Sequence, residues 1–201
     1  MHIGSLNIGE VAPSETQQSA RADVSVLRTS SPLSATLRGQ NSSMNIRQLS
    51  ESELPALLGL IKAKAEFDGC PESLKASVES LHEALFAPQP LAYALVAEVD
   101  GKIVGMATYY SIFSSFISKP GLWLDDLFVY EEARNLGVGE ALMKRLCLIA
   151  KTAGCGRVDW HVSNFNERGK KFYRRIGAEI SEKARLVRLT EAQIHALATD
   201  A

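Results

Sequence analysis

GLWLDDLFVYEEARNLGVGEA, residues 121–141, reads as strand, loop and helix in immediate succession. Leu122, Leu124, Asp126 and Phe128 alternate with Trp123, Asp125, Leu127 and Val129, the period of two expected when successive side chains leave opposite faces of a strand. On that reading Asp125 and Asp126 project one to each face. Two acids in an otherwise apolar strand ask for a chemical reason. Arg134-Asn135-Leu136-Gly137-Val138-Gly139 then opens an amphipathic helix, with glycines where the backbone must bend and where helix N–H groups would meet an anion. Such a turn suits phosphate.

The pattern Arg-x-x-Gly-x-Gly is neither a Walker loop, which needs GxxxxGK[ST], nor a dinucleotide fingerprint after the first strand of a βαβ unit. Taken alone it is as well read as an ordinary helix start. The rest of the chain decides between the two.

With 201 residues, 46% of them hydrophobic, and a formal net charge of −1, the chain has the composition of one globular domain plus an appendage. The balanced charge, without a long Lys/Arg block, gives no footprint for nucleic acid. No apolar run approaches the roughly 20 residues that span a bilayer, so a soluble, cytoplasmic protein without a membrane partner is expected. Cys70, Cys147 and Cys155 lack CxxC spacing, and His2, His82, His161 and His195 are scattered, so no metal is expected and the cysteines read as reduced and structural.

Residues 1–43 are rich in Ser, Thr, Gln, Asn, Gly and Ala, carry no aromatic residue and keep no apolar period. They read as a disordered extension, with Met44, directly before the first patterned residues, as an alternative start. The domain is expected over residues 44–201. Residues 45–49 form a short strand candidate, and Ser50-Glu51-Ser52-Glu53 matches a capping box ahead of a helix to Phe67; either Ser50 or Ser52 can be the cap, and Ser52 leaves Pro55 in the first turn. Leu74, Val78, Leu81 and Leu85 predict a second helix before Pro88. Residues 93–99 and 102–110 flank Asp100-Gly101, a strong two-residue hairpin signal, and a linker follows through Gly121. Beyond the glycine loop, Ala141, Leu142, Leu146, Ile149 and Ala150 mark the inner face of a helix stopping at Gly154. A strand over 157–162, a helix capped by Asn166 and ended at Gly177, a last strand over 184–189 and a capping-box helix from Thr190 complete the order. The fold class is α/β, mixed, with helices packed on a sheet.

With that order in place, residues 44–189 resemble a GNAT acetyltransferase, and more narrowly the spermidine/spermine and thialysine acetyltransferase branch. Three separated segments carry the resemblance: Leu60-Ile61-Lys62 running to Phe67-Asp68, the acidic strand with Leu124-Asp125-Asp126, and Phe172-Tyr173-Arg174-Arg175-Ile176-Gly177-Ala178. The resemblance implies a central, mostly antiparallel, twisted sheet splayed at an acetyl-CoA site and flanked by helices. It also implies acetyl-CoA as cosubstrate, a small amine as acceptor and a homodimer, with residues 112–117 or the last strand as possible contacts.

Acetyl transfer needs a neutral amine and a proton for the departing thiolate. An alkyl amine with a pKa near ~10.4 arrives charged at neutral pH, so something must accept its proton. Asp125 and Asp126 are the candidates; residue chemistry alone also allows both merely to pair with Arg or Lys. The resemblance favours Asp125, acting through a water. It likewise makes Tyr173 the general acid, although a tyrosine beside Phe172 is, by itself, more often a packed aromatic. Leu127, Phe128 and Val129 enter as main-chain cofactor contacts, one N–H polarising the thioester carbonyl. Pyrophosphate falls to Arg134, Asn135, Leu136, Gly137, Val138, Gly139 and Glu140, and a second CoA segment to Asn166, Glu167, Arg168 and Gly169. Asn135 stands where relatives commonly have glycine, and Glu140 is an anion near phosphates. Substrate contacts are expected at Phe67, Asp68, Asp125, Asp126, Asp159, Trp160 and His161. Phe67-Asp68 differs from the Tyr-Glu pair of the polyamine enzymes, and Asp125 is one methylene shorter than their glutamate.

Two other classes stay open on sequence: a protein lysine or N-terminal acetyltransferase, and a catalytically silent CoA-binding regulatory module. His161 is a rival base, although a lone histidine near a strand end is more often packed or solvated.

Overall fold

The computed structural model describes residues 33–36, 43–183 and 185–199. Contacts divide the chain into two compact units, one ending at His161 and one starting at Val162.

The first unit is built on a six-stranded sheet in sequential order: β1 (Leu33–Thr36), β2 (Ser43–Gln48), β3 (Tyr93–Val99), β4 (Lys102–Ser114), β5 (Lys119–Val129) and β6 (Val158–Trp160). All neighbours are antiparallel except β5 and β6. Strand β1 lies inside the stretch expected to be a disordered extension, and it pairs with β2 from Leu33↔Ile46 to Thr36↔Ser43. The rest of that stretch, apart from Ser43, lies outside the described residues.

The β3–β4 hairpin turns at Asp100 and Gly101, both at positive φ (50° and 76°), the turn that matches strand twist. Strand β4 runs to Ser114 and β5 starts at Lys119, so the linker expected after Tyr110 through Gly121 is mostly paired strand, closing at Ser114↔Lys119. Phe113 and Phe116 project from this arm, 67% and 98% exposed.

On one face lie α1 (Leu54–Phe67) and α2 (Val78–Phe86). Ser50 and Glu53 form the expected capping box, the Ser50 N–H donating to Glu53 Oε2 at 2.9 Å. The second helix is shorter than the apolar spacing predicts: Leu74 stands outside it, because Ser77 caps the helix by accepting from the Ser80 N–H. Leu54, Leu57, Leu60, Leu85, Val96, Met106 and Phe128 form the core beneath these helices. Each fully buried side chain of this kind contributes about 1.5–3 kcal/mol. On the other face α3 (Val138–Thr152) packs against β2 through β5, burying all five residues expected to point inward and also Arg145. As the crossover between parallel β5 and β6, α3 places its N-terminus at the end of β5.

The second unit contains α4 (Glu167–Arg175) and α5 (Glu191–Ala198). Thr190 and Gln193 form the expected box at α5. The last strand expected over 184–189 is not formed at residues 185–189; Ala184 is outside the described residues. Leu186, Val187 and Leu189 alternate poorly with Arg185 and Arg188, and all are exposed, so no ladder fixes an extended backbone there. Among the described residues, no helix is long and apolar enough to cross a membrane.

Candidate active site

Strand β5 departs from simple alternation at its acids. Thr108 stands opposite Asp126 and Tyr109 opposite Leu124, leaving Asp125 as the extra residue of a β-bulge. Thr108 and Tyr109 are neighbours and leave β4 on opposite faces. Leu124 therefore shares the α3 face with buried Tyr109, while Asp126 and Phe128 share the α1 face with Thr108 and Met106. Trp123 belongs to the same face, opposite Tyr110 and stacked on it. Asp125 accepts a side-chain hydrogen bond from Trp123. The expectation of one acid on each face is thus corrected: the bulge turns both toward the α1 side.

Each acid is held differently. Asp126 accepts from Thr108 Oγ1 at 3.3 Å, its own N–H donates to that oxygen at 3.1 Å, and Lys64 Nζ lies 3.0 Å from its Oδ1. Lys64 also reaches Asp68 Oδ2 at 2.5 Å, one helical turn along α1. Burial opposes the Lys64 charge, but the hydrogen bond to Asp68 and the charge of Asp126 outweigh it, holding Lys64 up at about 12. Burial raises the Asp125 carboxyl, and the charge of Asp126 raises it further; Lys64, the Trp123 hydrogen bond and His161 pull the other way without cancelling the shift. A carboxyl poised upward is a better acceptor for an ammonium proton than an ordinary aspartate.

The surroundings are aromatic. His161 meets Trp123 edge-on, ring centroids 4.7 Å apart, and Phe67 meets Phe128 at 6.3 Å. Asp159 is paired with Arg157, Nε to Oδ2 2.7 Å, so part of its charge is already spoken for. Strand β6 pairs with β5 only from Leu122 to Leu124. From Asp125 through Val129 the main chain of β5 meets β4 on one edge and no strand on the other among the described residues. That open edge is where Leu127, Phe128 and Val129 were expected to offer main-chain groups.

Directly after β5 comes the glycine loop. Asn135 and Gly137 take positive φ (65° and 84°), and Gly137 is the N-cap of α3 without a side-chain cap. Asn tolerates this region better than most residues, which is why it can replace glycine at position 135. The first helical bond runs from the Ala141 N–H to Gly137 O, so the N–H groups of Val138 and Gly139 point out of the helix end. An anionic diphosphate fits such a cradle by charge and by donor direction. Glu140 turns away along the helix to Lys144, 2.8 Å. Leu136 is half exposed. Arg134 donates through Nε to Val129 O at 3.0 Å and lies over the Phe67 and Phe128 rings at 5.0 and 5.8 Å, tying the loop to the acidic strand.

In the second unit, Asn166 caps α4 as expected, its Oδ1 accepting from the Gly169 N–H at 2.7 Å. A Cβ at position 169 would fall 2.7–3.0 Å from the Asn166 amide, so the cap needs glycine there. Glu167 pairs with Lys170, and Arg168 is exposed. Tyr173 is half-buried on α4 and packs edge-on against Phe172 at 5.2 Å. Trp160 is half-buried on β6.

The acetyltransferase model of the GNAT family matches residues 57–178. The chain belongs to the GNAT acetyltransferases. Thialysine N-epsilon-acetyltransferase of Mus musculus is 28% identical over 145 residues, covering 68% of this chain and 85% of that protein. Spermidine/spermine N(1)-acetyltransferase-like protein 1 of Homo sapiens is 32% identical over 140 residues, 66% of this chain but 20% of its own length. Among solved structures, the Vibrio cholerae integron cassette protein VCH_CASS6 superposes with a TM-score of 0.64 at 29% identity, covering 77% of this chain and 97% of that one. As a GNAT enzyme the chain is an N-acetyltransferase, and acetyl-CoA is the donor such enzymes use.

Two participants escaped the sequence reading. Lys64 was visible as an i,i+4 partner of Asp68, but nothing in the sequence announces its reach to Asp126. Trp123 was counted as a strand residue; its indole became relevant only once the bulge set it beside Asp125.

Proposed function

We propose that this GNAT enzyme moves an acetyl group directly from acetyl-CoA to a primary amine of a small cationic molecule: a diamine, a polyamine or a lysine-like amine such as thialysine. The observation that carries the reading is the pair of acids turned to one face by the bulge, at the open edge of β5 and one loop before the phosphate cradle. A cationic amine is drawn to that edge by charge and to Trp123, His161 and Phe67 by its alkyl and cation–π contacts. The named relatives, a thialysine and a spermidine/spermine-like enzyme, support the same class.

Acetyl-CoA supplies the activated acetyl thioester. Asp125, through a water, accepts the ammonium proton and frees the nitrogen lone pair. The exposed edge at Leu127 to Val129 offers main-chain N–H groups to the developing oxyanion, and Tyr173 gives a proton to the departing sulfur. Transfer is direct, since none of Cys70, Cys147 and Cys155 lies in the acidic strand or the glycine loop to carry an acyl group. The exposed Phe113 and Phe116 of the β4–β5 arm support a homodimer, which sedimentation would test.

The deciding experiment is CoA release with spermidine, putrescine, thialysine, lysine, an aminoalcohol and a lysine-containing peptide, each run with Tyr173→Phe in parallel. Turnover of a small amine that depends on Tyr173 supports the proposal. Turnover of the peptide alone replaces it with protein acetylation, and tight CoA binding without turnover points to a regulatory module.

A further inference from the structure

The acidic strand already holds one primary ammonium, and it belongs to the protein. Lys64 Nζ sits 2.5 Å from Asp68 and 3.0 Å from Asp126, with its side chain three-quarters buried at 24% exposure. Thr108 fixes the far side of Asp126. Of the three acids at this edge, two are therefore paired from within. Asp125 is in no ion pair among the described residues and, like Asp68, reaches solvent, beside Trp123 and His161.

We infer that Lys64 is a specificity-determining residue: as an internal counter-cation on Asp68 and Asp126 it narrows the proposed class toward acceptors of single net positive charge, the lysine-like amines, over diamines and polyamines. The inference rests on the reading of Asp125 and Asp126 as the amine site. An acceptor held at Asp125 surrenders one proton before it reacts. An acceptor of net charge +1, a monoamine or a lysine-like zwitterion, then carries no net positive charge and asks nothing more of the pocket. One of net charge +2 must place its second charge nearby, where Lys64 shields Asp68 and Asp126 and its ammonium repels the newcomer. Removing the Lys64 charge vacates two carboxylates that suit that second ammonium.

The probes are 1-aminopentane and 1,5-diaminopentane, equal in reach and different by one charge, acetylated by wild type, Lys64→Met, Lys64→Arg and Asp125→Asn. Lys64→Met is expected to move the ratio of kcat/KM values at least tenfold toward the diamine, chiefly through KM. Lys64→Arg, which keeps the charge, should hold the wild-type ratio. A thermal melt establishes that each variant is folded. A ratio unchanged within twofold in folded, active Lys64→Met overturns the inference while Asp125→Asn still raises KM or abolishes turnover for both amines. If Asp125→Asn leaves both amines at wild-type kcat/KM, or if wild type acetylates neither, the underlying site reading fails and takes the inference with it.

Discussion

Leu124 and Asp126 lie two residues apart on one strand yet face opposite sides of the sheet, because Asp125 between them is the extra residue of a bulge against Thr108 and Tyr109. The consequence is chemical. An unbroken strand would leave Asp126 on the α3 face with Leu124 and Tyr109, an uncompensated charge in a core. The bulge delivers it to Lys64 and puts Asp125 beside Trp123.

Asp125→Asn should therefore reduce kcat/KM by about 10²–10⁴-fold, the range for a lost general base, with little change in CoA affinity. The base works deprotonated, and its folded-state carboxyl is raised by burial and by Asp126. Activity of the wild type should accordingly fall as pH drops through a midpoint above the usual aspartate range of ~3.9. Lys64→Met removes a charge that opposes this rise and should move the midpoint further up. A pH–rate profile of the two proteins checks both statements, and a wild-type acid limb at or below the ordinary value would remove Asp125 as the base.

Tyr173→Phe is expected to slow the chemical step by roughly 10²-fold or more and to leave acetyl-CoA binding intact, because the ring packing on Phe172 survives the loss of the hydroxyl. Single-turnover kinetics with calorimetric CoA titration separate the two effects. An unchanged single-turnover rate would exclude Tyr173 as the proton donor.

How much of this was legible follows the range of the interactions. Asp100-Gly101, Ser50 with Glu53, and Asn166 with Gly169 were readable because each is a contract between residues a few positions apart. The glycine loop was readable for the same reason. The bulge was not, since one extra residue on β5 exists only relative to β4, and a strict period of two cannot register it. Lys64 with Asp126 spans 62 positions and required the packing of α1 on β5. The strand expected over 184–189 failed differently: its residues have strand-like composition but find no ladder among the described residues, and composition alone does not supply one.

At the phosphate cradle, Gly137→Ala should weaken CoA binding. Gly137 takes φ 84° with no atom near its absent Cβ, so the cost is backbone strain, about 1–2 kcal/mol for a residue forced into the left-handed region. Because Gly137 is the residue whose carbonyl starts α3, relaxing that strain reorients the N–H groups of Val138 and Gly139. Titration calorimetry with CoA should show a Kd raised about tenfold, with a melting temperature lowered by a few degrees. Equal affinity in the variant would show that the loop is not the diphosphate site.

Arg47 offers a test of stability apart from catalysis. Its guanidinium joins Glu53 at the start of α1 and Glu98 on β3, with nitrogen–oxygen distances of 2.7 and 2.5 Å, and so locks the first helix to the sheet that carries the acids. The hydrogen bond from Arg47 outweighs burial and, with Ser50, holds the Glu53 carboxyl down at about 2, from 4.5 for an unburdened glutamate. The sign follows directly: the unfolded chain binds this proton more readily, so the stabilisation is complete above 4.5 and drains away as pH falls toward 2. Both side chains keep about a quarter of their surface in water, which limits the pair to about 1–2 kcal/mol. Glu53→Gln should lower the urea midpoint at pH 7, and the gap between variant and wild type should narrow steadily from pH 5 to pH 3. A gap that stays constant over that interval would exclude titration of Glu53 as its source, and no gap at pH 7 would mean that Glu53 acts through its cap at Ser50 alone, since a glutamine there still accepts the Ser50 N–H.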